Sequence, residues 1–150
     1  MNNLSSPRPL GLLHLRSGWA GFLVFSLLGI GLEVLLAWKV PFLVDVEHSE
    51  RRLLLRLGHA HGTLLSLLQF AFCVTLPYLS EASRAADHAS RCLRAALLLL
   101  PAGFLLGGLG AGDGDPGLAI GLVPLGALFL VGGVSILTRE LFRRRSKDRS

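Results

Sequence analysis

The chain has 150 residues, enough for one domain, of which 51% are apolar and 17% charged, with a mean hydropathy of +0.57 and a net charge of +5. That balance excludes an ordinary water-soluble domain, which carries more charge and less apolar surface, and makes the lipid bilayer the expected solvent. The two cysteines, Cys73 and Cys92, lack CxxC spacing, which excludes a disulfide framework and a cysteine zinc site and leaves them as small apolar fillers.

Crossing ~30 Å of hydrocarbon takes ~20 residues of helix. Residues 1–16 hold Asn, Ser and Pro without a sustained period and read as a mobile arm, with a short interfacial helix over 10–15. The first apolar block spans about 18–40. It is longer than the core of a signal peptide and contains Glu33, so it reads as a retained span. The loop Pro-Phe-Leu-Val-Asp-Val-Glu-His-Ser over 41–49 follows, with Ser49 or Asp45 as helix cap and Glu50 suited to the positive end of the next helix. The second block covers about 53–79. If its helix begins near Ser49 it measures ~46 Å, and its first two turns stand outside the hydrocarbon. The third block, about 93–111, runs into Gly-Gly-Leu-Gly-Ala-Gly-Asp-Gly-Asp-Pro-Gly, a tight turn in which Asp113 and Asp115 lack the ligand spacing of a calcium loop. The fourth covers about 118–138, and 139–150 is a basic tail. No block alternates with period two, so a β-barrel is disfavoured. The expected fold is all-α, a four-helix transmembrane bundle occupying 17–138.

Charge sets the expected orientation. Four crossings place Arg8, Arg16, Arg84, Arg91, Arg94, Arg139, Arg143, Arg144, Arg145, Lys147 and Arg149 on one side, and only Lys39, Arg51, Arg52 and Arg56 on the other. The other side also carries Asp45, Glu47, Glu50, Asp113 and Asp115. The positive-inside rule then puts both termini in the cytoplasm of a multi-pass protein of the plasma, or inner, membrane. The tail needs no nucleic-acid partner, because a juxtamembrane basic run touches anionic lipid at about 1 kcal/mol per residue. Small residues recur every fourth position at Gly58, Gly62 and Ser66, at Gly103, Gly107 and Ala111, and at Gly117 and Gly121. Such stripes let helices approach closely in lipid, within one chain and between copies.

The most unusual local sequence is Arg56-Leu57-Gly58-His59-Ala60-His61-Gly62-Thr63. Positions two apart on a helix point ~200° from one another, so His59 and His61 cannot share a metal and at most one faces the bundle. Helical steps from His61 lead to Leu65, Leu68 and Phe72, an apolar wall with the mid-span amide of Gln69 nearby. A lone imidazole above such a wall, beside Gly62, suits haem, which needs one nitrogen on iron and hydrocarbon around its ring. It equally suits a histidine solvated among lipid headgroups. Glu33 is the second candidate, either buried against a histidine, Gln69 or Thr75, or snorkelling beside Lys39.

Ala60-His61 with Gly62, followed by an apolar span closing at Leu76-Pro77, resembles the second helix of the small four-span membrane isomerases typified by styrene oxide isomerase and hydroxylaminobenzene mutase. Gly103-Phe104 in span three, and Gly114 to Gly117 ahead of the Pro124-containing span four, fall in the same order. The resemblance covers about two thirds of the chain. It implies haem b in a homotrimer, with His61 as axial ligand and the iron as Lewis acid. Leu67, Leu97 and Leu105 stand where the resemblance implies an Asn, an Asp and a Tyr in the epoxide pocket, so those three polar groups do not carry over.

Two functions remain. One is a haem-b-dependent, isomerase-like protein acting on a small apolar molecule, with His61 as metal ligand and His59, Gly62, Gln69 and Glu33 around the cofactor. The other is a non-enzymatic membrane subunit or assembly factor that packs on a partner through its Gly-rich helix faces. Transport would need a polar pathway that four spans with Glu33 do not supply.

Overall fold

The structure, a computed structural model, describes residues 9–44, 49–79, 84–111 and 115–147. The first part of the expected arm, Asp45 and Glu47 of the first loop, Asp113 of the glycine-rich turn and the end of the tail lie outside these residues. The described chain is helical: α1 (Pro9–Ala37), α2 (Pro41–Val44), α3 (Ser49–Thr75) with a 3-10 turn at Leu76–Tyr78, α4 (Arg84–Leu109), and a 3-10 turn at Leu118–Gly121 leading into α5 (Leu122–Lys147). The helices α1, α3, α4 and α5 are long and apolar enough to cross a bilayer and fit an integral membrane protein.

Each long helix extends past its apolar block at one end and stops short of it at the other. Proline at the first position of α1 begins that helix, where a missing N–H costs nothing. The stretch 10–15, expected as a separate interfacial helix, is therefore the opening of α1. Helix α3 starts at Ser49 with Glu50 in its first turn and gives way to a 3-10 turn around Pro77, whose ring cannot continue an α-helix. Arg84 to Arg91 form two polar turns ahead of the apolar part of α4. Helix α1 ends in a Schellman turn: Lys39 N–H bonds Leu36 O at 3.0 Å and Val40 N–H bonds Leu35 O at 3.1 Å, with Lys39 at φ 52°.

Helices pack in the order α1, α3, α4, α5, and α1 has no broad interface with α5 among the described residues. The bundle is thus open along one side. Only 6% and 11% of the most apolar stretches of α1 and α5 are buried, against 33% and 44% in α3 and α4, so α3 and α4 form its centre. Phe72, Leu76, Ala89 and Leu93 build a core at the end where the first and last long helices begin and finish. Leu65, Leu97 and Leu100 fill the middle, and Leu32, Leu43 and Leu55 the opposite end.

The glycines place these seams. The Phe25 ring of α1 covers Gly62, Leu105 covers Gly58, and the Leu100 backbone crosses Gly126, so a Cβ at any of the three would collide. Two arginines tie up loose carbonyls at the end away from the termini. Arg51 donates from Nη2 to Ala111 O at 2.6 Å and from Nε to Gly108 O at 3.3 Å, closing the C-terminal end of α4, and Arg52 donates to Leu43 O at 3.1 Å.

Candidate functional site

His59 and His61 leave α3 in different directions, as their spacing requires. His59 Nδ1–H donates to Phe25 O on α1 at 2.7 Å, and its ring lies against Gly29. His61 Nδ1–H donates to Leu57 O, one turn back on its own helix, at 2.8 Å, and its ring lies 4.9 Å from that of Phe104 on α4 with a 32° tilt. Both rings are half-buried. A backbone carbonyl on Nδ1 fixes the tautomer and leaves Nε2 with the lone pair, the orientation that metal-bound histidines commonly adopt. No metal is required to explain either ring, since each already has one hydrogen bond.

Glu33 reaches neither imidazole as an ion-pair partner. Its carboxylate pairs with Arg56 of α3 at 3.5 Å, the two side chains being 72% and 55% exposed. Glu33, Arg56 and His59 line a groove of about 640 Å³ between α1 and α3, floored by Gly29, Ile30 and Val34. Gly62 is turned into the α1–α3 seam under Phe25 and does not line that groove. Of the five residues singled out from sequence, the structure therefore groups Glu33 with His59, and separates His61, Gly62 and Gln69 from them.

Gln69 belongs to a site that sequence reasoning missed. His14, at 0% exposure, extends from the second turn of α1 between α3 and α4. Gln69 Nε2 donates to Leu65 O at 3.1 Å and Leu93 O at 3.3 Å, which turns Oε1 toward His14. An amide oxygen only accepts, so His14 Nδ1–H donates to Gln69 Oε1 at 2.6 Å. In the neutral ring Nε2 then accepts from Ser90 Oγ–H at 2.8 Å. Phe72 covers the ring at 4.1 Å between centroids. Hydroxyl, imidazole and amide stand in the order of an activated nucleophile. Ser90 is only 2% exposed and Gln69 0%, so no substrate approaches, and the three side chains serve as a polar lock joining α1, α3 and α4.

Glu140 on α5 is 6% exposed and pairs with Arg143 one turn on at 3.0 Å, beside a second groove of about 570 Å³ lined by Ala85, Ile136, Arg139 and Phe142. Among the described residues, no group of three His, Cys, Asp or Glu side chains is placed to hold a metal ion. A haem needs one protein ligand, so that finding leaves His61 where it stood.

Comparison with protein families, with curated proteins and with solved structures finds no match to this chain.

Proposed function

We propose that this membrane protein binds haem b through His61 Nε2 and acts on a small apolar molecule, as the likeness to the four-span isomerases implies. The observation that carries the reading is the His61 Nδ1–H bond to Leu57 O, which aims an unengaged imidazole nitrogen away from its own helix. Phe104, whose ring lies 4.9 Å from that of His61, would give a group held on His61 one apolar wall. Gly62 packs under Phe25 in the seam between α1 and α3. The half-buried ring leaves the remaining cover to a second copy, in keeping with the homo-oligomer of the reading. Held there by His61, haem would supply an iron able to polarise a small substrate, bind a gas or pass electrons.

Leucines stand at the three positions that match the polar groups of the epoxide pocket. Leu97 is part of the central core, Leu105 fills the notch at Gly58, and Leu67 is exposed on the lipid face. Both termini lie in the cytoplasm under this reading, with the basic surplus on that side and the tail against the inner face of the plasma membrane.

The second reading is a non-enzymatic subunit docking through its glycine stripes. Among the described residues, Gly58, Gly62, Gly103 and Gly107 pack against atoms of the same chain, whereas Gly31, Gly121 and Gly132 meet nothing within 4 Å. The absorption spectrum separates the two. Haem-supplemented wild-type protein is expected to show a Soret band that disappears in His61→Ala and persists in His59→Ala. A colourless wild type, or a band indifferent to His61→Ala, overturns the haem reading, and a colourless stoichiometric complex with a larger protein favours the subunit.

A further inference from the structure

The groove between α1 and α3 contains an ion pair at an unusual depth. Trp19 and Trp38, 65% and 76% exposed, stand nineteen positions apart on α1 and its final turn. At 1.5 Å per residue they are ~28 Å apart, the thickness of a hydrocarbon core between two aromatic belts. Glu33 is five positions inside Trp38, ~7 Å toward the bilayer centre, and Arg56 is level with it on α3. An acid and a base so exposed would face acyl chains, where charge is costly unless something polar covers it. Arg51 and Arg52, nearer the helix end, are engaged on carbonyls and give no such cover.

The groove itself has two chemistries. Gly29, Ile30 and Val34 offer an apolar trough along α1, continuous with the lipid-facing surface. Above it stand a guanidinium, a carboxylate and the His59 ring, whose Nδ1 is engaged on Phe25 O and whose other nitrogen accepts when the ring is neutral. The Glu33–Arg56 separation of 3.5 Å is beyond a short charge-assisted bond, and each group has capacity left, since a guanidinium has five N–H donors and a carboxylate about four lone-pair sites. A ligand complementary to this surface carries an anion and an N–H-bearing cation a few bonds apart on an acyl chain.

We propose that the groove binds a phospholipid with a primary-ammonium headgroup, an ethanolamine phospholipid, in the leaflet away from the chain termini. The phosphodiester meets Arg56, the ammonium donates to Glu33 and His59, and an acyl chain lies along Gly29, Ile30 and Val34. A choline headgroup has no N–H to donate, and a glycerol headgroup offers only neutral hydroxyls, so neither gives the Glu33 carboxylate a charged donor.

Native mass spectrometry of the full chain, offered equal amounts of ethanolamine, choline and glycerol phospholipids with the same acyl chains, tests this. Wild type retains the ethanolamine lipid about tenfold over the others, the ratio expected for one charge-assisted hydrogen bond. Glu33→Gln removes the preference while still holding phospholipid, and Arg56→Gln lowers retention of all three. Both side chains are exposed, so an unchanged thermal midpoint shows that the variants fold. Equal retention of the three lipids by wild type, or an intact preference in Glu33→Gln, overturns the proposal. Two further outcomes also overturn it. Displacement of the lipid by soluble phosphoethanolamine would assign the groove to a small zwitterion, and a disulfide-linked dimer of Ile30→Cys in membranes would show a second copy covering this face.

Discussion

Replacing His14 by Leu removes both hydrogen bonds of the imidazole and leaves Gln69 Oε1 and the Ser90 hydroxyl facing hydrocarbon. The expected cost is about 2 kcal/mol, read as unfolding in mixed detergent micelles. Ser90→Ala strips one bond from the same ring and costs about 1 kcal/mol or less, in line with interhelical hydrogen bonds in lipid. Nothing in the sequence announces this lock. His14 falls in a leucine run too short to read as a span, and its partners are 55 and 76 positions away. Gln69 and Glu33 were legible as polar groups inside apolar blocks, because such groups are rare there. Their partners were not, since residue spacing fixes directions on one helix and says nothing about which neighbour stands opposite. His59 and His61 show the complementary case: their divergence follows from helix geometry alone and is seen in the structure, one ring toward α1 and one toward α4.

At the level of the helix, two backbone features make separable predictions. Lys39 occupies a left-handed conformation that glycine adopts freely, so Lys39→Gly is expected to stabilise the end of α1 by about 1 kcal/mol in the same unfolding assay. Gly126 meets the backbone of Leu100, which cannot rotate aside, and Gly126→Ala should lower stability by about 1–3 kcal/mol through forced separation of α4 and α5. Gly132→Ala, on the open face of the same helix, is the control and should leave the midpoint unchanged. The number and order of the long helices were legible because hydropathy reports which segments lipid will accept. Their ends were not, because polar turns such as Arg84 to Arg91 are stabilised by continuation of the backbone ladder and by neighbours beyond the apolar window.

For the molecule as a whole, the arginines opposite the termini have local duties. Arg51 and Arg52 cap carbonyls and Arg56 pairs with Glu33, so those positive charges are compensated or engaged where they stand. The positive-inside orientation predicts that a periplasm-active reporter fused after Ser150 is silent and a cytoplasm-active one works, and that alkaline carbonate leaves the chain in the membrane. A silent cytoplasmic reporter would invert the orientation without altering the helices. Openness between α1 and α5 has no signature in composition, since a lipid-facing leucine and a buried one have the same hydropathy.

The three-helix lock also imposes an order on biosynthesis. Helix α1 enters the membrane ahead of both partners of its imidazole, which follow His14 by 55 and 76 positions. Gln69 arrives with the second span, and Ser90 only when the third begins to emerge. A chain halted between those two events holds an imidazole with one of its two hydrogen bonds, so the lock closes only once the third span is in place.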